Sequence, residues 1–172
     1  MTYHETCEAR SDILLMDPAV VSCMMLQCDD EEDLRDLAQG LQLREKSLIL
    51  LPINDRQNFD SQGSHWALLV YCTDNGFQFY DSSSNHNRES AEEVAAVLQR
   101  AIGLPTSTVA IESCPQQQNA FDCGMYVCLI AEWLCRSRLG LEQLSLKDYV
   151  TPKRIRETRQ AMPDIVQHLK EM

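Results

Sequence analysis

Gln117-Gln118-Asn119-Ala120-Phe121-Asp122-Cys123-Gly124 closes a polar loop on a cysteine just where an apolar helical pattern begins. Met125, Leu129, Ile130, Trp133 and Leu134 follow at three- and four-residue steps, with Gly140 behind them as a stop. The spacing predicts a packed helix with Cys123 in its first turn. A thiol there faces the free N–H groups and the positive end of the helix dipole, which favour the thiolate. Cys123 is therefore a candidate nucleophile, and it needs a base.

Upstream, residues 65–72 (HWALLVYC) and 77–81 (FQFYD) read as strands joined through Thr73-Asp74-Asn75-Gly76. An Asn-Gly pair supplies the positive φ angles of a tight hairpin turn. The hairpin brings His65, at the start of one strand, and Asp81, at the end of the other, to the same end. Residues 47–53 (SLILLPI) read as a buried strand whose end Pro52 pushes toward an edge or a bulge, and residues 108–112 as a further strand.

The helices have their own punctuation. Asp17-Pro18 is an N-cap and first-position pair opening a short helix with Val21, Met24, Met25 and Cys28 inward. A second helix buries Leu34 and Leu37 and stops at Gly40, with the acidic run 29–33 as its dipole-matched first turn. Ser90-x-x-Glu93 reads as a capping box for a helix through Ile102, with Gly103 behind it. Thr151-Pro152 opens a final helical region that Pro163 breaks or restarts. Helices flanking a small mixed or antiparallel sheet make the fold α+β. No repeat, low-complexity linker or composition break divides the 172 residues, so one domain over 1–172 is expected.

A formal charge of −11 argues against nucleic acid as a partner, because phosphate binding rests on Lys and Arg, and it favours basic protein surfaces met by charge steering. No run of about 18 apolar residues is present, and MTYHETCEARSD has neither the basic nor the apolar region of a secretory signal. The expectation is a soluble monomer of the cytoplasm or nucleus, with no membrane contact. The eight cysteines (7, 23, 28, 72, 114, 123, 128 and 135) are scattered, so free thiols are expected, with Cys128 and Cys135 as packing residues. No C-x-x-C occurs and no histidines are paired at ligand spacing, so neither metal nor cofactor is expected.

A thiolate nucleophile requires a base that also serves as acid, a group that orients this base, and donors for the oxyanion. His65 can be the base and Asp81 its orienter. Gln117 or Gln118 can donate beside the backbone N–H of Cys123. Each alone has a plainer reading: a packed histidine, an Asx turn running into Ser82-Ser83-Ser84, a polar loop. In the order His, Asp, Gln, Cys they reinforce one another.

The segments G-S-H-W-A-L-L-V-Y, F-Q-F-Y-D-S and P-Q-Q-Q-N-A-F-D-C-G-M-Y-V resemble the catalytic segments of the Ulp/sentrin-specific cysteine proteases, which cut ubiquitin-like modifiers after a C-terminal Gly-Gly. Together with L-P-I-N-D they resemble the deneddylating branch most, and the likeness runs more loosely from about Ile13 to the C-terminus. The resemblance implies a papain-like fold of the Ulp type, with Cys123 as nucleophile, His65 as base and acid, and Asp81 as orienter. Gln117, six residues before the cysteine, becomes the oxyanion donor. Trp66 is implied as the lid over the substrate's diglycine, with Gln118, Asn119 and Asp122 also along the substrate. The implied partners are a ubiquitin-like modifier and its conjugates, neddylated cullins foremost. The family's upstream Trp-Leu-Asn-Asp stretch has no counterpart here, so a domain shortened at its N-terminus is expected, with one wall of the channel reduced. Two alternatives follow, a weakly active or inactive modifier-binding protein and a protease of SUMO-type specificity. A papain-like acyltransferase is a third reading, disfavoured by Trp66 and the Gln-to-Cys spacing.

Overall fold

The apolar runs pair into one mixed sheet flanked by helices, as the α+β expectation requires. The computed structural model describes residues 10–28, 30–55, 61 and 63–171. Strands β1 (Ile13–Leu15), β2 (Leu48–Asn54), β3 (Trp66–Cys72), β4 (Gly76–Tyr80) and β5 (Val109–Ile111) lie side by side in that order. β2, β3 and β4 form an antiparallel meander, and β1 and β5 add to its two edges in parallel. The helices are α1 (Pro18–Leu26), α2 (Glu31–Gly40), α3 (Arg88–Ile102), α4 (Cys123–Arg138), α5 (Leu146–Tyr149) and α6 (Pro152–Lys170).

The period of two along the strands divides the core. Ile49, Leu51, Ile53, Ala67, Leu69, Phe77 and Phe79 face α1, α2 and α3, where Val21, Met24, Leu34, Ala38, Val94 and Leu98 meet them. Leu48, Leu50, Leu68, Val70, Cys72 and Tyr80 face α4, α5 and α6 through Tyr126, Leu129, Ile130, Tyr149 and Ile155. Each fully buried Leu, Ile or Phe of these layers is stabilising by roughly 1.5–3 kcal/mol, so the two layers hold the sheet ends that carry His65 and Asp81.

Several local expectations hold. Asp17 caps α1 through the Ala19 N–H, and Asp30 caps α2 with Glu31, Glu32 and Asp33 in its first turn. Met25, Cys28 and Leu37 are partly buried against the first layer. Pro52 lies past the end of β1, which pairs only as far as Leu50, so its missing N–H faces no strand on that side. Gly103 ends α3 at φ 73°. The cysteines at 23, 28, 72, 114, 123, 128 and 135 are free thiols. Cys7 and Asp29 lie outside the described residues.

Others are corrected. α3 begins at Arg88 with Asn87 as its cap residue, so Ser90 sits inside the helix rather than capping it. Tertiary bonds from Asn87, described below, start the helix earlier than the local signal does. At the hairpin only Gly76 takes a positive φ, 73°, and Asn75 does not; Thr73, Asp74 and Asn75 form a longer loop that needs one left-handed residue. Pro163 neither breaks nor restarts α6, which runs through it. The proline is exposed, so water can satisfy the Arg159 carbonyl left without its helical partner. Cys128 is exposed, not packed. It shares a helical stripe with Cys135, but only Cys135 of the two joins the second core layer.

Candidate active site

The alternation that sends Phe77 and Phe79 to the first face carries Asp81 to the same side, and Ala67 and Leu69 do the same for His65. His65 Nε2 and Asp81 Oδ1 meet there at 2.6 Å, the Asp81 side chain having no exposed surface and that of His65 only 7%. With the carboxylate ionised, Nε2 carries the shared proton and Nδ1 is left as the free ring nitrogen. Asp81 is itself held, Oδ1 accepting from the Ser83 N–H at 2.7 Å and Oδ2 from the Asn87 N–H at 3.0 Å.

The backbone of His65 is pinned on both sides. Its N–H donates to Asp55 Oδ1 at 3.0 Å, and its carbonyl accepts from Asn54 Nδ2 at 3.1 Å and Asn87 Nδ2 at 2.9 Å. Burial pushes the Asp55 carboxyl up, but bonds from Ser64 Oγ, the Ser64 and His65 N–H groups and His86 outweigh it and hold the group well below the usual carboxylate range. His86 also sets its ring edge-on to that of His65, with centroids 5.4 Å apart.

The glutamine loop is tied to the residues after Asp81. The Gln117 N–H donates to the Ser82 carbonyl at 2.8 Å, Ser82 Oγ donates to Gln117 Oε1 at 2.8 Å, and Gln117 Nε2 donates to the Asn119 carbonyl at 2.7 Å. One Nε2 hydrogen thus remains for another acceptor. Gln116 spans the same gap, donating to the Asp81 carbonyl at 3.0 Å and accepting from the Ser84 N–H at 2.8 Å. Cys123 is the first residue of α4 and is buried. Among the described residues no protein acceptor takes its N–H, and no hydrogen bond joins its sulfur to His65.

These elements put a buried His–Asp pair, a glutamine amide and a helix-terminal cysteine on loops bonded to one another. A model of the Ulp1 protease family, C-terminal catalytic domain, matches residues 29–150. The chain belongs to the Ulp1 protease family.

Members named for their substrates are similar to it. Human Sentrin-specific protease 8 is 39% identical over 131 residues, covering 74% of this chain and 62% of the relative. NEDD8-specific protease 1 of Arabidopsis thaliana is 31% identical over 179 residues, covering 99% of this chain and 75% of the relative. The chain thus spans less than two thirds of the human relative's length. Among solved structures, SUMO protease Ulp1 with its catalytic cysteine oxidised to a sulfinic acid superposes with a TM-score of 0.65 at 19% identity, covering 87% of this chain and 66% of that one. The Xanthomonas campestris effector protein XopD bound to ubiquitin gives 0.64 at 22%, covering 89% and 82%. At that identity the likeness establishes the Ulp fold.

The other residues marked in this Ulp1-family sequence fall in three places. Trp66 is half-buried opposite Asn54 and lines a cleft of about 360 Å³ between α1 and the start of α3. Gln118 is exposed, with no side-chain hydrogen bond among the described residues. Asn119 and Asp122 turn their bonds inward: Asn119 Oδ1 accepts from the Phe121 and Asp122 N–H groups, and Asn119 Nδ2 donates to Asp122 Oδ2 at 2.7 Å. Arg159 of α6 donates to Asp122 Oδ1 through Nε at 2.8 Å and Nη2 at 2.6 Å. The bond from Asn119, then those from Arg159, hold the Asp122 carboxyl below its ordinary range against its burial.

Sequence reading missed Asn54, Asp55, Asn87, Gln116 and Ser82. Asn54 and Asp55 stood in the L-P-I-N-D segment without a role. Nothing local distinguished Asn87 or Ser82, whose side-chain partners are 22 and 35 residues away.

Proposed function

We propose that this chain is a cysteine protease that cleaves after the C-terminal Gly-Gly of a ubiquitin-like modifier, with NEDD8 preferred and neddylated cullins among its conjugates. The observation that carries the reading is the buried His65–Asp81 pair at 2.6 Å, on a loop bonded to the one that leads into Cys123. Membership of the Ulp1 family supports the reaction class, and the name of the Arabidopsis relative supports the modifier.

The residues divide the chemistry. Nδ1 of His65 takes the Cys123 proton, and the thiolate attacks the carbonyl carbon of the terminal glycine. The free Nε2 hydrogen of Gln117 and the Cys123 N–H receive the oxyanion. His65 returns the proton to the leaving amine as the C–N bond breaks, which leaves a thioester on Cys123. Water, deprotonated by His65, then releases the modifier as its carboxylate and restores the thiol. Asp81 holds the ring and stabilises the imidazolium through both halves. Trp66, half-buried on the strand that follows His65, provides a flat aromatic surface for the two glycines.

The test is covalent capture. NEDD8 carrying a thiol-reactive C-terminal group is expected to label Cys123 faster than the matching SUMO and ubiquitin probes, and the Cys123→Ala protein not at all. Absence of labelling by every modifier refutes the protease reading; faster labelling by SUMO or ubiquitin refutes the preference alone.

A further inference from the structure

Asn87 is 1% exposed and bonds both members of the His65–Asp81 pair, its N–H to Asp81 Oδ2 at 3.0 Å and its Nδ2 to the His65 carbonyl at 2.9 Å. The other residues holding the pair reach one member each. Asn54 and Asp55 bond only His65, while Ser83 and Gln116 bond only Asp81.

This arrangement is costly. An asparagine at a helix start ordinarily aims its side-chain oxygen at an N–H of the first turn. Asn87 makes no such cap, and among the described residues its buried Oδ1 has no partner. Turning the amide over would set Oδ1 against the His65 carbonyl, acceptor against acceptor, so His65 selects the orientation seen. A helix cap and a satisfied oxygen have both been given up for one bond to the histidine. Buried unsatisfied groups of this kind persist where function requires them.

We propose that Asn87 is a positioning residue that sets the separation between the His65 backbone and the Asp81 carboxylate, and so the direction in which Nδ1 points. The role rests on the protease reading above. Asn87 bonds His65 and Asp81, not Cys123, among the described residues, so it acts through the pair.

Asn87→Ala keeps the backbone bond to Asp81 and deletes only the tie to His65. One neutral hydrogen bond corresponds to a fall in kcat of about three- to tenfold, with KM within about twofold because no substrate contact is lost. The melting temperature is not expected to fall, since the substitution also removes the orphaned oxygen. Asn87→Asp, which sets a carboxylate oxygen against the His65 carbonyl, is expected to lose more than the alanine variant. In parallel, proton NMR of the His65 ring N–H reads the geometry without turnover, and Asn87→Ala is expected to speed its exchange with water. An unaltered ring signal, or kcat falling only in step with melting temperature, overturns the positioning role. A wild type without turnover whose ring signal still responds to Asn87→Ala overturns the protease reading while upholding the geometric tie from Asn87 to His65.

Discussion

Replacing Asp81 separates the structural from the chemical use of one carboxylate. Three donors converge on it: His65 Nε2 at 2.6 Å and the Ser83 N–H at 2.7 Å on Oδ1, and the Asn87 N–H at 3.0 Å on Oδ2. Asp81→Ala leaves all three without an acceptor in a site closed to water. An orphaned buried donor costs about 1–3 kcal/mol, and breaking a buried pair about 3–5 kcal/mol, so a stability loss near the upper range is expected. Asp81→Asn, with its oxygen placed as Oδ1, keeps two of the three bonds and strands only the Asn87 N–H, a loss of about 2 kcal/mol. Its effect on rate is larger, because no negative charge then faces the imidazolium. At an effective dielectric of about 20 that interaction is worth about 4 kcal/mol at 4 Å, and a loss of 2–4 kcal/mol lowers kcat by roughly 30- to 1,000-fold. Urea denaturation followed by tryptophan fluorescence measures the first quantity, and turnover of a NEDD8 C-terminal fluorogenic amide the second. An Asn variant that keeps a third or more of wild-type kcat while losing the expected stability refutes the catalytic reasoning; an Ala variant as stable as wild type refutes the structural reasoning.

Three further outcomes are expected. Asp55 is held below its unfolded value, so its contribution to stability is complete above the ordinary carboxylate range near 3.9 and is lost as pH falls through the lower folded value; Asp55→Asn should flatten the acid side of the stability–pH curve below about pH 5, and an unchanged acid unfolding profile counts against this. Burial pushes the Cys114 thiol up to about 11, while its Sγ donates to the Asp81 carbonyl at 3.1 Å; iodoacetamide at pH 8 followed by peptide mass mapping should modify exposed Cys128 and spare Cys114, and modification of native Cys114 as fast as Cys128 refutes its placement. Pro163 interrupts the backbone bonding of α6 at an exposed position, so Pro163→Ala should stabilise the protein by about 1–3 kcal/mol, and a lower urea midpoint refutes that.

Much of the fold was legible because it follows from period and punctuation. Short apolar runs bounded by turn residues marked β2, β3 and β4, and three- and four-residue spacing marked α1, α2 and α4. The hairpin turn alone places His65 and Asp81 at one end. The start of the helical pattern marked Cys123, and the resemblance of the motifs chose Gln117 over Gln118. Where local signals misled, a distant partner or the solvent outweighed them. Ser90-x-x-Glu93 is a sound capping signal, yet α3 starts at Arg88 because Asn87 is held by Asp81 and His65.

The sequence by itself determined which chemistry-bearing residues exist and which strand end or helix end carries each one. These are properties of neighbours in the chain, and periodicity reports them. Only the tertiary structure decided how they are held: Asp55 and Asn54 on the backbone of His65, Asn87 across the pair, Gln116 and Ser82 between the aspartate and glutamine loops. Such bonds join residues 6 to 35 positions apart, and hydrogen bonding at those separations leaves no period to read. The helix-start cysteine and the histidine were visible as types in a pattern; the direction in which the ring points is set by side chains that look unremarkable where they stand.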